Sequence, residues 1–325
     1  MGIEIIGIGS YLPEKILTNA ELEKMVETSD EWITTRTGIK ERRIAKDTEA
    51  TSDLAIHAAK RALKKANISA EEIDAIIVAT ITPDMFFPST ACFIQKKIVA
   101  KNAAAFDISA ACSGFIYGLA IAKSFINSDM YKTVMVLGAE KLSSITDWTD
   151  RNICVLLGDG AGAVILRKTN STSDILSTYL GADGNYGDLL LMPGGGSRNP
   201  ATHKTVDERL HYMKMEGNKI FKIAVRAMAD AAKKAIERAS ITCDDVKLII
   251  PHQANIRIVE AVAKQLDMPM EKVFLNIQKY GNTSAATTPI ALEEAIYEGK
   301  VKKGDIVVLV AFGGGLTWGA TAIRL

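Results

Sequence analysis

The sequence predicts an α/β fold in which two similar halves form a five-layered αβαβα sandwich. Two observations predict this fold: short apolar runs alternate with helical patterns along the chain, and the second half repeats the order of the first. The predicted halves are residues 1–170 and 171–325. No Gly/Ser-rich linker lies between them, so we expect them to pack tightly against each other.

The first half is predicted to contain five strands, each a short and mainly apolar run. Ala55, Ala58, Ala59 and Ala62 recur at three- and four-residue spacing with lysine and arginine between them, which is typical of an amphipathic helix. A second helix, rich in small residues, directly follows one of the strands. The predicted strands are 3–8, 75–79, 103–109, 133–137 and 162–166, and the predicted helices are 52–66 and about 113–126.

The second half is predicted to repeat this order of strands and helices. Residue identity between the halves is weak, so the duplication is inferred from the order of the patterns. The predicted strands are 246–250, 273–277, 306–310 and 319–323, and the predicted helices are about 256–266 and 284–297.

Composition excludes several classes of protein. Thirty-nine basic and thirty-eight acidic residues give a net charge of +1, so no overall field favours nucleic acid or a membrane surface. The uncharged stretch 306–323 is long enough to span a bilayer, but three central glycines and β-branched flanks favour strand–loop–strand. The N-terminus lacks the pattern of a signal peptide. We therefore expect a soluble, cytoplasmic protein.

Three polar residues follow three of the predicted strands, where ligands bind in open α/β sheets. Cys112 begins a helix, and the partial positive charge of a helix N-terminus favours the nucleophilic thiolate. His252 follows strand 246–250, and Asn282 follows strand 273–277, at a place that corresponds by pattern to Cys112. Taken singly, each has an ordinary structural explanation: a buried thiol, a hydrogen-bonded histidine, and a turn before an N-cap.

The other cysteines are predicted to be reduced structural thiols. They are widely spaced and form no C-x-x-C pair, which argues against a disulfide framework. These residues are Cys92, Cys154 and Cys243.

Several motifs in order resemble β-ketoacyl-acyl-carrier-protein synthase III, the initiating condensing enzymes of type II fatty acid synthesis in the thiolase-like superfamily. The similarity extends essentially from end to end, and the order of the motifs makes it specific. The motifs are residues 7–13 (GIGSYLP), 28–33 (TSDEWI), 36–39 (RTGI), 110–114 (AACSG), 158–163 (GDGAGA), 251–255 (PHQAN), 281–286 (GNTSAA) and 312–315 (FGGG).

This resemblance implies a thiolase-like fold and a Cys112–His252–Asn282 catalytic triad. It implies an oxyanion hole formed by the backbone N–H groups of Cys112 and Gly314. Acyl-CoA, most simply acetyl-CoA, and malonyl-acyl-carrier-protein are the implied substrates, and no metal or redox cofactor is implied. The implied coenzyme A contacts are Thr28, Trp32, Arg36, Arg151, Asn218, Phe221 and Asn255.

The resemblance also implies a homodimer, since Phe87 stands where the family closes the acyl pocket of the partner subunit. Lys222 and Arg257 stand where a docking site for the acidic carrier protein is expected. Two positions depart from the family pattern: Asn152 replaces a common glycine, and Glu216 places an acid where a small residue is common. Both departures bear on the coenzyme A site.

Four other functions were considered. A dinucleotide-binding enzyme fits poorly, because Gly7-Ile8-Gly9 lacks the third glycine and the following helix of that motif. A metal site fits poorly, because His203 and His211 have no further ligands at suitable spacing. A non-catalytic acyl-CoA-binding relative is disfavoured by the presence of all three triad residues. A related condensing enzyme that makes a polyketide or secondary-metabolite starter remains the main alternative.

Overall fold

Apolar runs rich in isoleucine and valine form the strands of two mixed sheets in the computed structural model, which describes residues 2–325. The first sheet has the order β1-β7-β6-β4-β5. Strand β4 is parallel to its neighbours β5 and β6, whereas β7 is antiparallel to β6 and β1. These strands are β1 Gly2–Tyr11, β4 Ala75–Ala79, β5 Ala104–Ile108, β6 Thr133–Glu140 and β7 Gly160–Thr169.

The second sheet has the order β11-β12-β13-β8 and is built entirely from residues after 170. Strands β11 and β12 are parallel, and the remaining neighbours are antiparallel. The division into halves at residue 170 itself stays a prediction. The strands are β8 Asp174–Ala182, β11 Val246–Pro251, β12 Ile306–Gly313 and β13 Thr317–Arg324.

The predicted strand 273–277 is wrong as an element. Only a single bridge between Val273 and Ile249 remains, at the place where β5 pairs with β4 in the first half. The side chain of Gln253 explains the loss: its amide bonds the Phe274 carbonyl and the Asn276 N–H, which takes the place of ladder hydrogen bonds. A short helix then begins at Ile277.

Helices fill three layers around the two sheets, which gives the expected αβαβα order. Helices α3 and α4 cover the outer face of the first sheet, α5 and α11 lie between the sheets, and α8 and α9 cover the second sheet. The helices are α1 Asn19–Leu22, α2 Asp30–Thr37, α3 Thr51–Ala66, α4 Thr90–Ile98, α5 Gly114–Asn127, α6 Arg151–Cys154, α7 His203–Asp207, α8 Gly217–Arg238, α9 Ile256–Gln265, α10 Ile277–Tyr280 and α11 Thr287–Tyr297.

Two small strand pairs lie outside the main sheets. β2 (Lys15–Thr18) pairs with β3 (Glu41–Ile44), and β9 (Leu190–Leu191) pairs with β10 (Lys214–Met215). The stretch 306–323 forms β12, a turn and most of β13, as expected. Along residues 2–325, every helix is too short or too polar to traverse a bilayer.

The two central helices begin in the same unusual way. A 3₁₀ turn, Ala111–Ser113, precedes α5, and the matching turn Ser284–Ala286 precedes α11. The first residue of each turn has a left-handed backbone, with φ of 45° at Ala111 and 48° at Ser284. A non-glycine residue adopts this conformation at a cost of about 1–3 kcal/mol, and such strain concentrates at functional sites.

Candidate active site

Cys112 lies in the strained turn that joins β5 to α5. It is 8% exposed, and it is one of the residues that line a cavity of about 350 Å³. The equivalent position in the second half is Ala285, because Ala111 and Ser284 occupy matching places in their turns. The expected correspondence of Cys112 with Asn282 is therefore wrong by three residues, although both residues belong to matching loops.

The expectation of a resting thiolate is also wrong. Burial raises the pKa of the Cys112 thiol to about 12, and the negative charge of Glu140 raises it further, whereas the Ser284 hydroxyl lowers it. Loss of hydration penalises the charged form more than the start of α5 favours it. The folded environment of Cys112 therefore favours the neutral thiol over the thiolate.

A glycine-rich turn packs directly on the backbone of the nucleophile. A Cβ atom at Gly313 would lie 2.5 Å from the Cys112 nitrogen, so only glycine fits there. Thr317 ties the two turns together, since its hydroxyl donates to the carbonyls of Ala110 at 2.9 Å and Gly314 at 3.1 Å. Gly314 thereby lines the same cavity as Cys112.

Asn282 reaches this cavity from the second half. Its backbone is fixed on both sides, because its N–H donates to the Leu156 carbonyl and its own carbonyl accepts from Gly158. Its side-chain oxygen accepts the Ser284 N–H at 2.9 Å. With that oxygen engaged, the NH₂ group of Asn282 is the part of the side chain left to bind a ligand.

His252 follows β11 directly and is 3% exposed. Its backbone N–H donates to the Val310 carbonyl of β12, so His252 lies at the same sheet edge as the glycine-rich turn. It is not among the residues that line the cavity. Burial lowers its pKa to about 4, so the imidazole is neutral at pH 7, and its Nδ1 has no hydrogen-bond partner among residues 2–325.

Most of the cavity surface is apolar. The segment between β6 and β7 supplies five of these side chains, residues in or next to β9 and β10 supply five more, and Ile81 follows β4. Such a lining suits an acyl chain better than a charged group. The apolar lining residues are Ile81, Leu142, Ile145, Ile153, Leu156, Leu157, Leu190, Leu191, Met192, Met213 and Met215.

The four expected contacts for the nucleotide end of coenzyme A lie together. The ring of Trp32 is contacted by the guanidinium groups of Arg36 at 4.8 Å and Arg151 at 5.0 Å from its centroid. Arg151 is held by a hydrogen bond to the Glu27 carbonyl at 2.8 Å. The neighbouring Thr28 hydroxyl is buried, and it has no partner within the described part of the chain.

The other expected coenzyme A contacts lie at the starts of α8 and α9. Asn218 is exposed and Phe221 is half-buried, whereas the side chain of Asn255 caps α9 by accepting the Arg257 N–H at 2.9 Å. None of these three residues lines the cavity beside Cys112. Lys222 and Arg257 are exposed on these two neighbouring helices.

Three further residues are placed at the surface. Phe87 is 83% exposed beside the exposed Phe86 and does not reach the cavity of its own chain. Asn152 bonds the Asp150 side chain at the start of α6. Glu216 precedes α8 and pairs with Lys219 at 2.6 Å.

Sequence reasoning missed two polar residues of the site, Glu140 and Ser284. Glu140 ends β6 and is completely buried, and it accepts a hydrogen bond at 2.9 Å from the hydroxyl of Ser284, which lines the same cavity as Cys112. A charged residue at the end of an otherwise apolar strand was the available signal for Glu140. The residues described include no group of three or more His, Cys, Asp or Glu side chains that could hold a metal ion.

Family models match both halves of the chain. The model for 3-oxoacyl-[acyl-carrier-protein] synthase III matches residues 106–184, and the model for its C-terminal part matches residues 236–325. These segments contain Cys112, His252 and Asn282.

Individual relatives match over nearly the full length. The β-ketoacyl-[acyl-carrier-protein] synthase III of Caldanaerobacter subterraneus subsp. tengcongensis is 60% identical, covering 98% of this chain and 97% of the relative. The crystal structure of 3-oxoacyl-[acyl-carrier-protein] synthase III from Aquifex aeolicus is similar at a TM-score of 0.93, with 55% identity and complete coverage of both chains. The priming β-ketosynthase of the R1128 polyketide pathway is similar at 0.92, with 32% identity, covering 100% of this chain and 96% of that one.

The fold, the cysteine-bearing turn and the extent of this identity all agree. The chain belongs to the β-ketoacyl-acyl-carrier-protein synthase III family.

Proposed function

We propose that this chain catalyses the condensation that initiates type II fatty acid synthesis, with Cys112 as the acyl carrier. The observation that carries the proposal is the apolar cavity in which Cys112, Asn282 and Gly314 meet, in a chain 60% identical to a β-ketoacyl-[acyl-carrier-protein] synthase III. An apolar cavity beside a thiol suits an acyl group held as a thioester.

The first step is acyl transfer from acyl-CoA, with acetyl-CoA as the simplest primer. The Cys112 sulfur attacks the thioester carbonyl, and coenzyme A departs. The N–H groups of Cys112 and Gly314 stabilise the oxyanion of the tetrahedral intermediate, where one such donor is worth about 3–4 kcal/mol. The close packing of Gly313 on the Cys112 backbone supports this role, because Gly314 is the next residue in the chain.

The second step is decarboxylative condensation with malonyl-acyl-carrier-protein. Loss of CO₂ leaves an enolate, whose oxygen is bound by His252 and by the NH₂ group of Asn282. The lowered pKa of His252 supports this role, because a neutral imidazole donates a hydrogen bond without carrying a charge. The carbanion attacks the acyl-Cys112 carbonyl and releases 3-oxoacyl-carrier-protein. These steps use no metal or redox cofactor.

The nucleotide end of coenzyme A is proposed to bind at Trp32. An indole with two guanidinium groups close to its ring combines an aromatic surface for adenine with two positive charges for phosphates. The unpartnered Thr28 hydroxyl adds a hydrogen-bonding group there. Asn218, Phe221 and Asn255 are proposed to contact the pantetheine arm, and Glu216 stands beside that path.

Two protein partners are proposed. The exposed Phe87, next to Phe86, supports a homodimer in which this apolar tip closes the acyl pocket of the partner. Lys222 and Arg257 support docking of an acidic carrier protein, since both are exposed on neighbouring helices. We place this activity in the cytoplasm.

A polyketide starter remains the second candidate function. The similarity to the R1128 priming ketosynthase favours it. The identity to that protein is 32%, however, whereas the identity to the synthase III relative is 60%. A panel of acyl-CoA primers assayed with malonyl-carrier-protein separates the two, because a fatty acid initiator accepts a short primer and delivers it to the fatty acid carrier protein.

The direct test is Cys112→Ser with radiolabelled acyl-CoA. We expect the variant to show neither stable labelling nor a burst of free coenzyme A, since a serine hydroxyl is a far weaker nucleophile than a thiol. Cys92→Ser is the matched control and should label normally. Stable labelling of Cys112→Ser at the normal rate would contradict the mechanism.

A further inference from the structure

Arg42 is a completely buried arginine that the mechanism above does not use. It belongs to β3, and no carboxylate lies within ion-pair distance of it along residues 2–325. Glu41, the acidic residue before it, pairs with Arg43 at 3.7 Å instead. Burial lowers the pKa of the Arg42 guanidinium to about 10, so the group is still charged near pH 7. Burial of an arginine without an acidic partner is costly and rare in proteins, so its hydrogen bonds must offset that cost.

The Arg42 guanidinium binds neutral oxygen atoms from two separate parts of the chain. One terminal nitrogen donates to the Leu17 carbonyl at 3.0 Å and to the side-chain oxygen of Asn19 at 2.8 Å. The other terminal nitrogen donates to the Val155 carbonyl at 2.8 Å. Val155 is the C-terminal cap of α6, the short helix that begins with Arg151. Arg42 therefore ties α6 to the segment around Asn19.

Asn19 continues this connection to α2. Its side-chain NH₂ group donates to the Asp30 carboxylate at 2.7 Å and to the Ile39 carbonyl at 2.8 Å, while its side-chain oxygen accepts from Arg42. Asp30 is the first residue of α2, the helix that contains Trp32, and Ile39 follows the end of that helix. Asn19 thus holds α2 at both ends, and the chain of hydrogen bonds joins α2 through Arg42 to α6.

These two helices carry the aromatic and cationic groups proposed to bind the nucleotide end of coenzyme A. Trp32 and Arg36 belong to α2, whereas Arg151 belongs to α6 and reaches the Trp32 ring from there. The apolar residues between the helices include Ile33 and Cys154. Apolar contacts are non-directional, whereas the donors of a guanidinium have a fixed fork geometry. The directional link between the helices is therefore the one through Arg42.

We propose that Arg42 is a positioning residue for coenzyme A: through Val155 and Asn19 it holds α6 and α2 at the spacing at which two guanidinium groups contact Trp32. This inference rests on the proposed function, which assigns the nucleotide to Trp32. Arg42 is itself buried, so it acts on the ligand through the two helices. Loss of its hydrogen bonds should weaken binding of the nucleotide and leave the chemistry at Cys112 intact.

Arg42 also packs behind the Asn282 turn, which decides the choice of assay. A Cβ atom at Gly281 would lie 3.3 Å from the Cβ of Arg42, and the carbonyl of Leu156, the residue after Val155, accepts the Asn282 N–H. A substitution of Arg42 can therefore disturb Asn282 as well. Because Asn282 is proposed to act in condensation, the acylation half-reaction isolates the effect on coenzyme A.

The test compares acetyl-CoA with acetyl-pantetheine, which has the same thioester and pantetheine arm but lacks the nucleotide. Acylation of Cys112 by each radiolabelled donor is followed without carrier protein over a range of donor concentrations. For Arg42→Met, we expect the second-order rate constant with acetyl-CoA to fall about 10- to 100-fold, the usual worth of one hydrogen bond to a charged group. The maximal rate with acetyl-CoA, and the second-order rate constant with acetyl-pantetheine, should stay within about threefold of the parent.

Asn19→Ala interrupts the same connection but leaves Arg42 bonded to the carbonyls of Leu17 and Val155. It should show the same selective loss with acetyl-CoA, and combining it with Arg42→Met should add little, since both act through one connection. Arg43→Met is the matched control in the same strand. Its guanidinium bonds the Pro13 carbonyl at 3.4 Å and neither helix, so the kinetics with both donors should stay within about threefold of the parent.

Two results would overturn the positioning role of Arg42. One is an equal loss with both donors, which would mean that Arg42 supports the whole site and not the nucleotide alone. The other is acetyl-CoA kinetics within about threefold of the parent. Urea unfolding shows whether each variant is folded, and Asn19→Ala decides by the same comparison if Arg42→Met does not fold. Failure of the proposed function looks different: the unaltered enzyme would be acylated by neither donor, or Trp32→Ala would leave its preference for acetyl-CoA unchanged.

Discussion

At the scale of single residues, burial controls the chemistry of the site. Cys112, His252 and Glu140 are all removed from water, and each is shifted toward its neutral form, with pKa values of about 12, 4 and 7. Neutral groups bind and move protons without a large solvation penalty in an apolar cavity. Burial therefore favours the neutral forms of all three groups.

Asn282 allows the two half-reactions to be separated. Because its oxygen accepts the Ser284 N–H, its NH₂ group is the part available to an enolate. We expect Asn282→Ala to slow condensation by about 10²–10³-fold, the usual loss for one oxyanion donor, while the coenzyme A burst stays within a few-fold of normal. Rapid-quench measurement of both steps checks this. An equal loss in both steps would place Asn282 in acylation as well.

At the scale of elements, the contact between two turns decides the geometry of the nucleophile. The turn after β12 presses on the Cys112 turn, with no space at Gly313 for a side chain. The two turns are joined further by the hydroxyls of Ser113 and Thr317, 2.7 Å apart. Small displacements here move the nucleophile and the oxyanion donors together.

Gly313→Ala tests this contact. The added methyl must push the Cys112 backbone away, so we expect at least a tenfold loss in the rate of acylation and about 1–3 kcal/mol of destabilisation from overpacking. Gly196→Ala is the control, since a Cβ there meets nothing within 4 Å. Burst kinetics and urea unfolding measure the two effects. A normal rate of acylation by Gly313→Ala would show that the two turns can move apart without a loss of activity.

The sequence predicted the strands that precede Cys112 and His252, with ends correct to within a few residues. These predictions succeeded because they used the periodicity of apolar residues and the rule that ligands bind at strand ends. Neither requires knowledge of how the chain packs. The segment 273–277 failed because its β-like composition was overridden by the distant side chain of Gln253. Helix α8 was not predicted, although its apolar residues recur at helical spacing along Gly217–Arg238.

At the scale of the whole molecule, the proposed catalytic residues come from both predicted halves, and the matching turns before α5 and α11 are in contact. Cys112 comes from the first half, whereas His252 and Asn282 come from the second. Sequence order could not show that Glu140 and Ser284 touch, because they are 144 residues apart. The pKa values likewise depend on burial, which only the packed structure reveals. Both the contacts and the charge states of the site therefore depend on the folded structure.

That dependence predicts opposite pH effects on stability from two residues of the site. The folded-state pKa of Glu140 is raised from 4.5 to about 7, so its contribution to stability is complete below about pH 4.5 and is lost as the pH rises through 7. The folded-state pKa of His252 is lowered from 6.5 to about 4, so its contribution is complete above about pH 6.5 and is lost as the pH falls through 4. Each shift corresponds to about 3 kcal/mol.

Between pH 4.5 and 6.5 the two effects oppose each other, and single substitutions should separate them. Relative to the parent, the free energy of unfolding of Glu140→Gln should rise with pH by about 1.4 kcal/mol more per pH unit, and that of His252→Asn should fall by a similar amount. Urea unfolding at pH 4.5, 5.5 and 6.5 gives these slopes. Asp107→Asn is the comparison, since it removes a partly buried carboxylate that accepts hydrogen bonds from N–H groups at the start of α4. If both variants keep the parent slope, neither group titrates differently in the folded and unfolded chains, and the neutral site inferred from burial is wrong.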